Sequence, residues 1–165
     1  MVQEYVSGGD LHRHLPALRR DHNRVFAVFA RIVDAVAHMH SHGFVHNDIK
    51  ADNILMTKDG VPKLSDFGLA CKVGMPLSGA GTKRYMAPEL VSDADSGTDA
   101  GASMPASPLQ DVWSLGVVLF TMLTGEFPWK RAVHSDAQYM RMQSTGFEFS
   151  SLNAAERTVC CLMLV

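Results

Sequence analysis

Cysteine is scarce in this sequence, and its placement argues against a small extracellular domain held together by disulfides. The 165 residues contain three cysteines: Cys71 and the adjacent pair Cys160 and Cys161. An odd number with two neighbours gives no framework of paired bridges, on which small secreted domains depend. The sequence therefore favours a reducing compartment, cytoplasmic or nuclear. Cys160 and Cys161 fall in an apolar segment and are predicted to be core residues.

A large excess of charge and a long apolar run are missing as well. Lys and Arg number 15 against 17 Asp and Glu, which argues against binding nucleic acid or a membrane surface by bulk electrostatics. The longest apolar stretch, VWSLGVVLFTML at 112–123, is shorter than the roughly 20 residues of a membrane-spanning helix. The N-terminal residues lack the basic region and apolar core of a signal peptide. We therefore expect a soluble protein with no nucleic-acid or membrane partner.

What the sequence does contain is helical periodicity. Apolar residues recur at helical spacing over 21–42, with Asp21 as a predicted N-cap and Gly43 as a predicted stop. An apolar helix is predicted at about 110–124 and another near 153–164. The pattern predicts a mainly helical domain.

The other segments are short strands and loops. NILM at 53–56 and VPKLSDF at 61–67 flank the turn TKDG, which predicts a small β-hairpin. Residues 69–85 lack periodicity and are predicted to be a loop. The segment 92–107, SDADSGTDAGASMPAS, is small and polar and is predicted to be a disordered insertion.

Residues 46–53, HNDIKADN, concentrate acids, a cation and an amide, and a DFG tripeptide follows them. Phosphoryl transfer needs a carboxylate to orient the attacking hydroxyl, a cation near the transferred group and oxygen ligands for magnesium. Asp48 suits the first role and Lys50 the second. The side-chain oxygens of Asn53 and Asp66 suit the third. Taken singly, each acid fits a helix cap or a turn equally well.

Four motifs occur in order: H-x-D-x-K-x-x-N, DFG, APE at 87–89 and DVWSLG at 111–116. Each alone is weak, but the ordered set resembles the signature of the eukaryotic protein kinase family. The chain resembles the C-terminal, large lobe of a Ser/Thr protein kinase catalytic domain over residues 1–165, apart from the insertion. The resemblance implies a mainly α fold with a small catalytic-loop β-hairpin. It also implies transfer of the γ-phosphoryl group of ATP to Ser or Thr hydroxyls of a protein substrate.

The same resemblance implies roles for the catalytic residues. Asp48 is expected to be the catalytic base, and Lys50 to contact the γ-phosphate, a lysine typical of Ser/Thr kinases. Asn53 and Asp66 are the expected Mg²⁺ ligands. Thr82, in GTKRYMAPE, is expected to bridge the base and the lysine.

Nucleotide-binding residues are implied in the same way. Leu55 is expected beneath the adenine of ATP, and the backbone of Glu4 and Val6, in MVQEYVSGGDL, is expected to bond the adenine edge. Gln3 would guard the back of the pocket, and Asp10 would reach the ribose.

Three further residues would align these groups. His46 and Phe67 resemble the lower half of the apolar spine that runs between the two kinase lobes. Asp111 would anchor that spine through backbone N–H groups of the catalytic loop.

One residue departs from the family pattern. Asn47 stands where the family has an arginine that holds a phosphate on the activation loop, and an amide cannot supply that charge. We therefore hypothesise that activation does not depend on phosphorylating this loop. Ser78 is its obvious hydroxyl, with a plain loop serine as the alternative interpretation.

The small lobe of the family is not apparent in the sequence. There is no G-x-G-x-x-G loop, no V-A-I-K lysine and no helix with its partner glutamate. Residues 1–165 are therefore expected to be a partial domain, truncated at both ends, that requires the missing lobe for a full ATP site. Glu89 is expected to be buried without its usual arginine partner. Two alternatives are a non-catalytic, pseudokinase-like binding scaffold and an inactive truncated kinase fragment.

A run of histidines offers a different kind of site. His38 and His42 lie one helical turn apart, which suggests a metal site, with His40 between them. Cysteine and acidic partners are not suitably placed in the sequence. The three are therefore predicted to be surface histidines at a helix end.

Overall fold

The computed structural model describes residues 4–77, 81–91, 104–146 and 152–164. Gln3 and Ser78, and the roles expected of them, lie outside these residues. The described part of the chain contains five α-helices and two small antiparallel sheets. The helices are α1 (Leu11–Leu18), α2 (His22–Ser41), α3 (Pro108–Thr124), α4 (Ala137–Thr145) and α5 (Ala154–Met163). The strands are β1 (Phe44–Val45), β2 (Ile54–Met56), β3 (Pro62–Leu64) and β4 (Cys71–Lys72). The mainly helical prediction is confirmed.

Helices α2, α3 and α5 follow the sequence prediction closely. The side chain of Asp21 accepts a hydrogen bond from the Arg24 N–H at 3.2 Å, so it caps α2 as predicted. Gly43 follows the helix with a φ of 77°, a left-handed conformation that suits glycine. Asn153 begins α5 with a capping box, because its side chain bonds the Glu156 N–H while Glu156 bonds back.

Two helices were not predicted. Leu11, Leu15 and Leu18 form the buried face of α1, and the carboxylate of Asp10 accepts the Arg13 N–H at 3.0 Å. Asp136 caps α4. Both helices are short, eight and nine residues, so neither shows the extended periodicity that makes a helix conspicuous in sequence.

Helix α3 forms the centre of the core. Its residues are buried almost all the way round, and it packs against α1, α2 and α5. Gly116 permits the close approach of α5, because a Cβ on this residue would lie 2.8 Å from Leu164 Cδ2. A helix buried on every side is a rigid foundation for side chains that project from its first turn.

The two sheets bring the HND and DFG motifs close together. The predicted hairpin is present, with β2 and β3 paired in the register Leu55↔Lys63. A second pairing, Val45↔Cys71 between β1 and β4, was not expected, because residues 69–85 were predicted to be a loop. Residues 46–53 therefore connect β1 to β2, while residues 65–70 connect β3 to β4. Since each connection runs between the same two sheets, the HND and DFG motifs face each other.

The disordered insertion predicted over 92–107 extends too far at its C-terminal end, where the chain is ordered. Residues 92–103 lie outside the described residues, but Ala106 is only 1% exposed. Its N–H donates to Met75 O at 2.8 Å, and its carbonyl accepts the Gly74 N–H at 2.8 Å. Ser107 then caps α3. Small polar composition concealed these contacts, because backbone pairing does not require apolar side chains.

Glu89 also differs from expectation. Its side chain is exposed rather than buried, so the cost expected for a buried, unpaired carboxylate does not arise.

None of the helices in the described ranges is long and apolar enough to cross a membrane.

Candidate active site

Asp111, in the first turn of α3, organises the catalytic loop. It is 1% exposed. Its Oδ2 accepts the His46 N–H at 2.8 Å, and its Oδ1 accepts the Asn47 N–H at 2.9 Å. Two successive backbone amides of the loop are therefore fixed to the central helix. This is the anchoring arrangement that the sequence predicts for Asp111.

His40 is a third partner of this carboxylate, which sequence reasoning missed. Its Nε2 lies 2.8 Å from Asp111 Oδ2, and its side chain is 17% exposed. The prediction that His40 is a surface residue is therefore wrong. His38 and His42 instead contact each other, with ring centroids 4.5 Å apart. Among the described residues, no group of three or more His, Cys, Asp or Glu side chains is arranged to hold a metal ion.

Asp48 lies at the centre of a hydrogen-bond network. Its Oδ2 accepts from Lys50 Nζ at 2.6 Å and from Asn53 Nδ2 at 3.0 Å. Its Oδ1 accepts from the Thr82 hydroxyl at 2.9 Å and the Thr82 N–H at 3.1 Å. Lys50 also donates to the Thr82 hydroxyl at 2.9 Å. Four residues predicted from sequence to act together are thus in direct contact.

The network holds Asp48 in its ionised form. The side chain is only 10% exposed, and burial by itself would raise its pKa. Hydrogen bonds from Lys50 and Thr82, together with the lysine charge, outweigh burial and hold the pKa below its ordinary value. The carboxylate is therefore negative at neutral pH and able to accept a hydrogen bond from a hydroxyl group.

A turn beneath the catalytic loop positions Thr82. The Tyr85 N–H donates to Thr82 O at 2.8 Å, and the Ser114 hydroxyl donates to Tyr85 O at 2.8 Å. Burial of the Tyr85 ring raises the pKa of its hydroxyl to about 12. Tyr85 and Ser114 were not singled out for this role by sequence reasoning, although both fall within kinase-like motifs. They connect Thr82 to the same helix that anchors the catalytic loop.

Asn53 and Asp66 differ in burial but are tied together through the backbone. Asn53 is 6% exposed, and its backbone carbonyl accepts both the N–H and the hydroxyl of Ser65, each at 2.9 Å. Asp66 is the residue after Ser65. It is exposed and adopts a left-handed φ of 58°. Its Oδ1 accepts the Gly68 N–H at 3.4 Å.

These two side chains fit a magnesium ion. Nδ2 of Asn53 is engaged with Asp48, and within the described residues its Oδ1 accepts no hydrogen bond. From the residues that the structure describes, the exposed carboxylate of Asp66 accepts a single hydrogen bond, 3.4 Å long. Mg²⁺ is commonly held by one or two protein oxygens together with substrate phosphates, so a larger protein cluster is not required.

The turn that carries Asp66 is held by the catalytic loop on both sides. The rings of His46 and Phe67 lie 5.2 Å apart, and His46 Nε2 donates to Ser65 O at 3.1 Å. Asn47 Nδ2 donates to Leu69 O at 2.9 Å. The ring contact is the pairing predicted from the spine resemblance.

The predicted adenine residues line a pocket of about 200 Å³ next to this turn. Glu4, Val6, Leu55 and Phe67 are among its walls, and the last three contribute the apolar surface that is common in ligand pockets. Lys63 lies there too, and its Nζ contacts both carboxylate oxygens of Glu4, at 2.8 and 2.6 Å.

Asp10, which was expected to reach the ribose, does not line this pocket. Its backbone forms a bridge with Leu55, and its carboxylate caps α1 and lies 3.6 Å from the Arg13 guanidinium. The cap accounts for the side-chain orientation without reference to a ribose.

Comparison of the sequence with known proteins agrees with the geometry of the site. A model of the protein kinase domain matches residues 1–159. Serine/threonine-protein kinase PAK 4 of Mus musculus is 38% identical over 133 residues, covering 78% of this chain and 21% of that protein. Serine/threonine-protein kinase ksp1 of Schizosaccharomyces pombe is 36% identical over 162 residues, covering 90% and 33%. RAC-beta serine/threonine-protein kinase B of Xenopus laevis is 36% identical over 156 residues, covering 88% and 29%. The chain therefore spans about a fifth to a third of the length of these relatives.

Proposed function

Since the chain belongs to the protein kinase domain family, we propose that it is the catalytic part of a serine/threonine protein kinase. The reaction is transfer of the γ-phosphoryl group of ATP to a Ser or Thr hydroxyl of a protein substrate. The observation that carries this proposal is the contact of Asp48 with Lys50, Asn53 and Thr82. A site that had lost its function would not be expected to keep a cation, an amide and a hydroxyl all hydrogen-bonded to one carboxylate.

In this proposal Asp48 orients the acceptor hydroxyl and accepts its proton. Both carboxylate oxygens already accept two hydrogen bonds each, which fills the acceptor sites of a carboxylate. An incoming hydroxyl must therefore displace one donor. Lys50 is the donor best able to leave, because its long side chain can turn its charge towards a phosphate while Thr82 keeps its contact.

Bound Mg·ATP supplies the phosphoryl group and the charge that balances it during transfer. Asn53 Oδ1 and the Asp66 carboxylate are the proposed metal ligands. Leu55 is the proposed platform for adenine, with the backbone of Glu4 and Val6 at its edge. Positioning and charge stabilisation provide most of the rate in this chemistry. The substrate is a protein, and the cytoplasm or nucleus is the proposed site of action.

The proposal is tested by phosphate transfer from labelled ATP to a mixed protein substrate, using the protein at its natural length. Asp48→Asn keeps the shape of the side chain but removes the base, and we expect kcat to fall by about 10²–10⁴-fold, the usual contribution of a general base. Asp59→Asn, at an exposed position of the β2–β3 turn, is the matched control and should keep wild-type kcat.

Three outcomes would count against the proposal. Equal turnover by wild-type protein and Asp48→Asn would remove Asp48 from the mechanism. An inactive wild-type protein that still binds partners would favour the binding scaffold, and Mg²⁺-dependent ATP binding would then show whether the nucleotide site is retained. An isolated chain that fails to unfold cooperatively would favour the inactive fragment.

A further inference from the structure

We propose that Asn47 is a positioning residue that holds the DFG turn, and with it Asp66, through its side-chain amide. This inference rests on the proposed function and deepens it, because it names a further positioning residue of the same site.

The first observation is the bond that Asn47 makes to the turn after Asp66. Its Nδ2 donates to Leu69 O at 2.9 Å and lies 3.2 Å from Cys71 Sγ. Leu69 is the last residue of the one-turn helix Phe67–Leu69, and Asp66 is the residue that caps its start. Asn47 therefore fixes the far end of the turn that begins with the proposed metal ligand.

The second observation is that the preceding residue fixes the near end. His46 Nε2 donates to Ser65 O, directly before Asp66. The backbone N–H groups of both His46 and Asn47 are bound by Asp111. A continuous series of hydrogen bonds thus runs from the central helix, through two adjacent loop residues, to both sides of Asp66.

The amide orientation follows from its surroundings. Turning the amide over would place Oδ1 against the carbonyl oxygen of Leu69, and two acceptors repel. In the orientation that bonds Leu69, Oδ1 is buried and has no partner among the described residues. A buried acceptor without a partner costs stability. A side chain that served stability alone has no use for that oxygen, whereas one needed for its N–H donors must carry it.

The backbone conformation also selects this residue type. Asn47 has a φ of 65°, a left-handed conformation that asparagine tolerates better than most residues. In this conformation its amide engages both Leu69 and Cys71.

Asn47→Gly is the decisive variant, tested in the protein at its natural length. Glycine accepts the left-handed backbone without strain, so this change removes the amide and keeps the loop conformation. Asn47→Asp is the companion variant, because it keeps size and backbone preference but places a carboxylate oxygen opposite Leu69 O. A residue that served only to permit the backbone turn would be replaced by glycine without loss.

Two readouts are measured on each variant. The first is kcat together with the Mg²⁺ concentration for half-maximal rate. We expect kcat to fall by about tenfold or more and the Mg²⁺ requirement to rise, because displacing a reacting group by about 1 Å can cost 10²-fold in rate. The second is alkylation of Cys71 followed by mass spectrometry, which does not depend on activity. Cys160 is the internal control, since it is fully buried and its burial raises the thiol pKa to about 12.

The outcomes separate this inference from the proposed function. Lower kcat, a higher Mg²⁺ requirement and faster Cys71 alkylation in both variants would support the inference. Wild-type behaviour of Asn47→Gly in either readout would overturn it. If the wild-type protein transfers no phosphate, the proposed function fails, and Cys71 alkylation alone decides whether Asn47 holds the turn.

Discussion

The two carboxylates of the site, Asp48 and Asp66, are held in contrasting ways. Asp48 is 10% exposed and accepts hydrogen bonds at 2.6, 2.9, 3.0 and 3.1 Å. Asp66 is exposed, sits at a left-handed position and accepts one bond at 3.4 Å. The protein organises the first carboxylate by itself, whereas the second is presented to solvent at a fixed place.

This difference matches the roles proposed for the two groups. A base that orients a hydroxyl benefits from a rigid surrounding, because preorganised charge needs no rearrangement during the reaction. A metal ligand must stay free of strong protein partners until the ion arrives. The backbone of the Asp66 turn is fixed by His46 and Asn47, so only its side chain remains available.

The largest expected effect comes from removing Asp111, which anchors the loop residues that position both carboxylates. Asp111→Ala leaves the His46 and Asn47 N–H groups without their acceptor, and we expect unfolding free energy to fall by about 3–5 kcal/mol, as when a buried charge partner is removed. His40→Phe removes one of the three contacts and is expected to cost about 1 kcal/mol. Denaturant unfolding measures both. Equal losses in the two variants would mean that His40, rather than the loop amides, dominates the stabilising role of Asp111.

The next effect tests Asp66 against Asp48 directly. Asp66→Gly is expected to lower kcat by about 10²–10³-fold, the usual loss when one charge-stabilising group is removed. The unfolding free energy should stay within about 0.5 kcal/mol of wild type, because the side chain is exposed and glycine accepts the left-handed φ of 58° without strain. Mg²⁺-dependent ATP binding should weaken in parallel. A large loss of stability in Asp66→Gly would show that this carboxylate is a structural cap and would remove the contrast.

Much of this arrangement was predictable from the sequence, for identifiable reasons. Helix α2 carries a long periodic pattern and α3 a long apolar run, and the cluster of Asp48, Lys50 and Asn53 is local in sequence. Thr82 was found only through family resemblance, because nothing in its own neighbourhood indicates a contact with Asp48, 34 residues away.

Other features depend on contacts that leave little trace in sequence. His40 looks like a surface residue until α3 is packed against α2 and brings Asp111 to its ring. The pairing of β1 with β4 involves two residues on each strand, too few for an alternating pattern. The exposure of the Glu89 side chain follows likewise from tertiary packing. The order at the C-terminal end of the predicted insertion follows from backbone hydrogen bonds.

The smallest expected effect is a loss of stability at acid pH. It tests only whether the hydrogen bonds to Asp48 favour its ionised form. The pKa of this carboxyl is lowered in the folded protein because hydrogen bonds from Lys50 and Thr82 outweigh burial. A lowered folded pKa means that the ionised group stabilises the fold above its unfolded pKa of about 3.9, and that this stability is lost as pH falls through the lower folded value. The difference in unfolding free energy between wild type and Asp48→Asn should therefore be constant near neutral pH and shift against wild type below about pH 4. A difference that does not change across the acid range would show that the Asp48 network does not favour the ionised form, and the contrast with Asp66 would then be one of burial only.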